Sequence, residues 1–385
     1  MLQTTAESGD CENLATRAAA APCRSVLMVG TDLAGKGGIR AVVQGYIDGG
    51  LFDRVNGIYI ATHRYGSTWA KFTAALRGWT AVAMQLRKLD APLVHVQTAS
   101  RASFWRKSVV CLMARAAGRP YLLHLHGGEF VQFYESESGA LRRRYIRNIL
   151  RNAQLVLALS EQWRERLLRI CPAAQVEVLT NAVALPELDR RPARRDGAAC
   201  VLFLGDVNRG KGSFDLLRAF AAIAPRFPGL RLLCAGTGSL QEIRRLATQL
   251  HVADRVECPG WIGPERKRAE LAAATLFALP SYAEGMPMAL LEAMSWSLPV
   301  VATCVGGIPQ LITNERNGLL IAPGDVEALA AAIERLMNDP SLRQRLGTAA
   351  RATVATSFTL DATLTQLTQI YSRFGIEARA WGRMP

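Results

Sequence analysis

A chain of 385 residues, half of them apolar and 20% charged, is long enough for two or three domains and has the composition of a globular protein. A formal charge of +14 directs it toward anions, and the charge is lopsided: residues 1–200 hold 27 Lys and Arg against 16 Asp and Glu, residues 201–385 only 19 against 16. No run of 18 apolar residues exists, the eight cysteines have no zinc-ligand spacing, and no zinc-finger, RNP-like or homeodomain pattern occurs, which argues against a membrane span, a zinc module and a nucleic-acid partner.

In chain order, residues 1–23 carry acids and lack a continuous apolar core, so they read as a disordered leader and not as a signal peptide. Six strand candidates follow, SVLMVG (25–30), NGIYIAT (56–62), LVHVQ (93–97), YLLHLH (121–126), LVLALS (155–160) and VEVLTNAV (176–183). Helical patterns lie between them, as parallel α/β units demand. A Pro- and charge-rich break at 185–199 reads as the linker between a first domain, 24–184, and a second, 200–355. The second series is CVLFLG (200–205), LRLLCAG (230–236), VECPG (256–260), TLFALP (275–280), LPVVAT (298–303) and GLLIAP (318–323). The last helical pattern, ATLTQLTQIYSRFG, begins the stretch 356–385.

The segment from Leu279 to Leu320 carries the chemistry. Glu284 and Gly285 close a loop after LFALP, and MPMALLEAMS reads as a helix with Glu292 along it. Eight helical steps span about 12 Å. That is too far for two carboxylates working on one glycosidic bond, which need roughly 5 to 10 Å, but it suits two ends of one long ligand. The helix start offers unpaired N–H groups at Gly285, Met286, Pro287 and Met288, a seat for an anion such as pyrophosphate. Glu284 before it would accept from sugar hydroxyls, and Glu292 beyond it from a ribose. The Gly306–Gly307 turn is a second place where a backbone could approach phosphates.

Together with GTDLAGKGGIR (30–40), LLHLHGGEF (122–130) and VLFLGDVNRGKGSFDLLRAF (201–220), this segment resembles retaining glycosyltransferase family 4, over about residues 25 to 370. The resemblance implies the GT-B fold: two facing Rossmann-like domains, a cleft between them, and a last helix crossing back onto the first. It assigns a nucleotide-sugar donor to the second domain and the acceptor mainly to the first. Lys211 matches the family lysine that contacts the donor phosphates, and His126 positions the donor sugar or the acceptor, so His126, Glu284 and Lys211 are the catalytic candidates. Gly37, Gly38, Gly236 and Trp261 fall on loops that would line the donor site. His124 reads as structural, as do His63, His95 and His251.

The chain departs from the family at three points. Asp206 stands where a basic residue is usual, and Arg209 is the nearest cation to replace it; Ser297 and Gln310 replace a Gly and a Glu. No Asp-x-Asp occurs, so the metal signature of the other major glycosyltransferase fold is missing, and neither metal nor cofactor is expected. The implied reaction retains the anomeric configuration. GKGGIR is not the GxGxxG of an oxidoreductase, whereas a non-catalytic nucleotide-sugar-binding subunit and an epimerase on the same fold stay open.

The cationic first half mixes Trp, Phe and Leu with Arg and Lys at 68–89 and 104–115. Such segments suit an anionic membrane surface. The isolated cysteines read as reduced thiols, so the expected setting is cytoplasmic and peripheral on the inner face of the membrane, with a lipid-linked saccharide as acceptor in bacterial exopolysaccharide or lipopolysaccharide assembly.

Overall fold

The computed structural model describes residues 24–188 and 199–379. The expected leader and most of the 185–199 linker lie outside those residues. Twelve strands form two parallel six-stranded sheets. The first holds β1 (Ser25–Gly30), β2 (Gly57–Ala61), β3 (Pro92–Thr98), β4 (Tyr121–Leu125), β5 (Leu155–Ala158) and β6 (Val176–Val178), in the order β2-β1-β3-β4-β5-β6. The second holds β7 (Cys200–Leu204), β8 (Arg231–Ala235), β9 (Val256–Gly260), β10 (Leu276–Leu279), β11 (Val300–Thr303) and β12 (Leu319–Ile321), in the order β12-β11-β10-β7-β8-β9.

Each strand falls within a predicted apolar run except β3, which extends one residue beyond each end of LVHVQ. β1, β3, β4, β5, β7, β10 and β11 are buried along their whole length because helices cover both sheet faces. The last strand of the first sheet is shorter than its apolar run predicts. After Val178 the chain leaves the sheet, and Val183 pairs instead with Thr359. Val183 N donates to Phe358 O and Leu360 N to Val183 O, so the two crossings between domains run side by side.

The helix Leu360–Ser372 crosses back as expected. It buries Leu364, Leu367, Ile370 and Tyr371 in the core of the first domain beside Val26, Met28 and Tyr46. Arg373 clamps Glu177 through two bonds of 2.7 and 2.8 Å. Each fully buried apolar side chain contributes about 1.5 to 3 kcal/mol, so four hold this helix far more firmly than the exposed ion pair does.

Strand order also positions the site. In the second sheet the order reverses between β7 and β10, and in the first between β1 and β3. Loops diverge at such a switch point and leave a crevice beyond the strand ends. The two crevices face each other.

Candidate functional site

A cleft of about 660 Å³ lies where the loops after β1, β3 and β4 meet those after β7, β8 and β10. Gly37, Gly38, His126, Lys211, Gly236, Trp261, Glu284, Gly285, Met286, Pro287, Met288 and Glu292 all line it. Arg209, Gly306 and Gly307 do not.

At the centre Glu284 is 6% exposed. Its Oε1 accepts from Lys211 Nζ and from Ser281 Oγ, each at 2.7 Å. A carboxylate has about four lone-pair sites, so these two leave Oε2 open to the cleft's contents. Lys211 arrives in a short turn that Asn208 caps, its Oδ1 accepting from Lys211 N at 2.8 Å. Gly212 must follow: φ is 66°, and a Cβ there would fall 1.9 Å from Pro280 O.

Both domains hold the Glu284 loop. Gly128 packs so closely on it that a Cβ would lie 2.6 Å from Glu284 C. Trp163 Nε1 donates to Glu284 O at 3.4 Å, and Asn181 Nδ2 to Met286 O at 2.7 Å. Trp163 and Asn181 are not distinguishable from the sequence. Their only signal is an ordinary helix Trp and a lone Asn in TNAV, neither of which names a partner more than a hundred residues away.

Four expectations change here. The helix is Met288–Ser295, so only half of the path from Glu284 to Glu292 is helical and the 12 Å separation does not apply. Pro287 has no N–H, leaving Gly285, Met286 and Met288 as donors. Gly306 and Gly307 serve packing: a Cβ would lie 1.8 Å from Glu284 O in the first and 2.2 Å from Gly285 O in the second, and Gly307 N donates to Gly285 O. They shape the loop from behind. Arg209 turns its guanidinium over the Phe214 ring, 5.3 Å from the centroid, outside the cleft, because the capped turn presents Gly210 and Lys211 to the interior.

Asp206 does line the cleft. Thr237 Oγ1 donates to its Oδ1 at 2.7 Å, and no cation pairs with it among the described residues. Cations stand elsewhere on the wall. Lys36 of the first domain lies 5.4 Å from the Trp261 ring centroid of the second, spanning the gap. Lys267 Nζ sits 2.5 Å from Glu292 Oε1, a pairing that no sequence pattern announces.

His126 is neutral. Burial pushes its pKa well below the usual value, with His124, His95 and Lys107 adding to the effect. Its Nε2 lies 2.5 Å from Gln97 Oε1, Gln97 Nε2 lies 3.2 Å from His95 Nε2, and His95 Nδ1 lies 2.5 Å from Tyr371 Oη. One tautomer set satisfies all three contacts: His126 Nε2–H donates to Gln97, whose amide donates to His95, whose Nδ1–H donates to Tyr371. His126 Nδ1 is then an acceptor. His124 lies against His126, ring centroids 4.1 Å apart and planes tilted by 33°, and stacks on His95 at 5.5 Å with neither of its own ring nitrogens bonded, and so fills a core position.

Residues 186–353 match the family described as glycosyl transferases group 1, and residues 14–182 the glycosyl transferase 4-like domain. Alpha-D-kanosaminyltransferase of Streptomyces kanamyceticus is 27% identical over 283 residues, which is 69% of this chain and 73% of that protein. Several other curated relatives align over only about half of their own length. The sucrose-phosphate synthase of Thermosynechococcus elongatus superposes with a TM-score of 0.74 at 25% identity, covering 91% of this chain and 98% of that one. Anabaena HepE, in a crystal structure with UDP-glucose, superposes with a TM-score of 0.73 at 20% identity over 91% of this chain and 99% of that one.

Proposed function

The chain belongs to the group 1, 4-like glycosyltransferases, and on that premise we propose that it moves a sugar, with retention, from a UDP- or GDP-sugar to a hydroxyl of a lipid-linked saccharide in bacterial polysaccharide assembly. The observation that carries this reading is the Lys211–Glu284 pair at the mouth of the Met288–Ser295 helix. It sets a cation, three N–H donors and an open carboxylate oxygen side by side at the β7/β10 switch point. A diphosphate seated on those N–H groups draws Lys211 toward it, and the sugar hydroxyls take the Glu284 oxygens that Lys211 leaves. Glu292, farther along and paired with Lys267, takes the ribose in this reading. HepE, of the same fold, binds UDP-glucose.

As the C1–O bond to the diphosphate breaks, negative charge grows on the leaving oxygens. Lys211 and the N–H groups of Gly285, Met286 and Met288 oppose that charge, a well-placed donor contributing roughly 3 to 4 kcal/mol. The acceptor oxygen bonds to C1 on the same face, and its proton passes to the leaving phosphate oxygen. No protein base is required, which fits a neutral His126 that positions by accepting through Nδ1. This charge neutralisation supports turnover without a divalent cation, and activity in EDTA checks it.

No helix among the described residues is long and apolar enough to cross a membrane. The helix Thr68–Lys88 nevertheless exposes Trp69 at 72%, Phe72 at 50% and Leu76 at 42%, spaced i, i+3 and i+7, among basic neighbours. An aromatic stripe framed by cations supports a cytoplasmic enzyme resting on an anionic membrane face. The deciding experiment incubates the full chain with UDP- and GDP-sugars and a membrane lipid extract, with NMR of the product's anomeric proton. An inverted product refutes retention; binding of a nucleotide sugar with no transfer to any lipid favours the non-catalytic subunit, for which the uncompensated Asp206 speaks.

A further inference from the structure

A second concentration of charge lies in the first domain. Lys107 sits on the inward stripe of the helix Ala102–Ala116, between Phe104 and Cys111, and is 1% exposed. Its ammonium makes a single hydrogen bond, 3.3 Å to Ser103 Oγ, which already accepts from Ala99 N. Arg106 beside it has a buried Nε without a partner. No carboxylate lies within ion-pair distance of either among the described residues, and the charge that acts on Lys107 is another cation, Arg106.

Lys71 joins them. Exposed Lys71 lies one turn before Ala75, in line with the stripe that Ala75, Gly78, Val82 and Leu86 bury and about two turns from the point where Gly78 packs on Ala61 and Thr62, and so stands toward the carboxyl end of β2. His63 stands there, its Nδ1 3.1 Å from Thr31 Oγ1, and it feels Arg106, Lys107 and Lys71 together against Asp32 alone. Lys107 also acts on His126, which lines the cleft. The cations therefore gather behind the acceptor wall, beside the exposed Trp69–Phe72–Leu76 stripe. Burial, and then the neighbouring guanidinium, push the Lys107 pKa down to about 7, and an anion beside the amine would hold its proton on.

We propose that Lys71, Arg106 and Lys107 around His63 form an anion subsite that takes the phosphate of a phosphorylated acceptor, with the apolar stripe beside it for an attached hydrocarbon. The inference rests on the reading of the first domain as the acceptor half. A phosphate ester on a lipid and free phosphate share the recognised chemistry, and the test separates them.

Equilibrium dialysis of the full chain is run with excess UDP or GDP, whichever binds, so that the donor's own diphosphate seat is filled. The probes are farnesyl diphosphate, inorganic pyrophosphate and farnesol. One farnesyl diphosphate binds per chain, at least tenfold more weakly in Lys107→Met and about threefold more weakly in Lys71→Ser, while UDP affinity stays unchanged. Lys107→Met also melts higher than wild type without ligand, because folding no longer has to bury an amine that the unfolded chain keeps protonated. Pyrophosphate binding with the same dependence on Lys107 assigns the site to phosphate as such; binding confined to farnesyl diphosphate assigns it to a lipid phosphate. Absence of any phosphate binding, binding undiminished in Lys107→Met, or farnesol binding as tight as the diphosphate overturns the subsite. Should Lys107→Met not fold, Lys71→Ser and Arg106→Gln take its place: weakened farnesyl diphosphate binding in both upholds the subsite, and unchanged binding in both overturns it. A chain that holds farnesyl diphosphate through Lys107 yet transfers no sugar keeps the subsite and loses the transferase reading; transfer without such binding loses the subsite alone.

Discussion

Glu292 and Glu284 differ in what holds them, and the difference separates their expected effects. Glu292 is paired with Lys267 along the helix, whereas Glu284 is fixed by Lys211 and Ser281 before the helix begins. Glu292→Gln is expected to weaken UDP or GDP about tenfold, roughly 1.4 kcal/mol, and Glu284→Gln to slow turnover with the sugar donor while changing nucleoside diphosphate affinity little. Calorimetric titration checks both; equal affinities in wild type and Glu292→Gln remove the ribose role. Lys211→Ala should cost about a hundredfold in turnover, the scale of one lost charge-stabilising donor. Arg209→Ala should cost nothing measurable, since that guanidinium rests on Phe214 outside the cleft; a tenfold loss in steady-state turnover would return it to the donor site. These carboxylates and Lys211 were legible because their spacing is local and follows a strand. Lys267, Asn181 and Trp163 were not, because each acts on the signature loop from a different element and sequence spacing carries no trace of that approach.

Elements were more legible than contacts. All twelve strands coincide with the predicted runs, most plainly the seven buried along their whole length, since a strand buried on both faces of a parallel sheet must be largely apolar. What the runs concealed is polar. β3 and β4 bury His95, Gln97 and His124, and the first two of these link His126 at the cleft to Tyr371 on the crossing helix. Burial lowers the pKa of all three histidines, His124 to about 3. The unfolded chain, with histidines near 6.5, therefore binds protons that the folded chain refuses, and stability falls as pH drops through the window from about 6.5 toward 3. The expected loss is about 1.4 kcal/mol per pH unit for each histidine below pH 6. Urea midpoints at pH 7 and pH 5 measure it. Tyr371→Phe should lower the midpoint at both pH values by removing the hydroxyl that His95 meets; a midpoint independent of pH would mean that the array admits protons without unfolding.

The whole molecule is two charge-distinct halves closed on one loop. Docking on membranes belongs to this scale, because it draws on the summed charge of the first half and the exposed stripe of one helix. Trp69→Ser with Phe72→Ser should weaken co-sedimentation with anionic vesicles at least tenfold, and salt should weaken the wild type as the Debye length shrinks below about 8 Å. Equal binding to neutral and anionic vesicles would leave the stripe and its cations without this role. Closure is the other property of the whole. The HGG and EG motifs were legible as separate strand-end loops, but that each lacks a side chain to admit the other became visible only with both sheets in place. Gly128 has no Cβ where one would lie 2.6 Å from Glu284 C, and Gly285 none where one would lie 3.0 Å from His126 O. Backbone stands on both sides of these contacts, so neither rotamer change nor a flexible tip can relieve an added methyl; the halves must separate or the loop must shift. Gly128→Ala is accordingly expected to lower turnover at least tenfold. UDP affinity should change less than threefold, because Lys211, Glu292 and the N–H donors of Gly285, Met286 and Met288 all belong to the second domain. Steady-state kinetics beside calorimetry separates the two effects. A Gly128→Ala chain with normal turnover would show that the reaction does not need the halves as close as they stand here, and an equal loss of UDP affinity would show that the first domain shapes the donor seat itself.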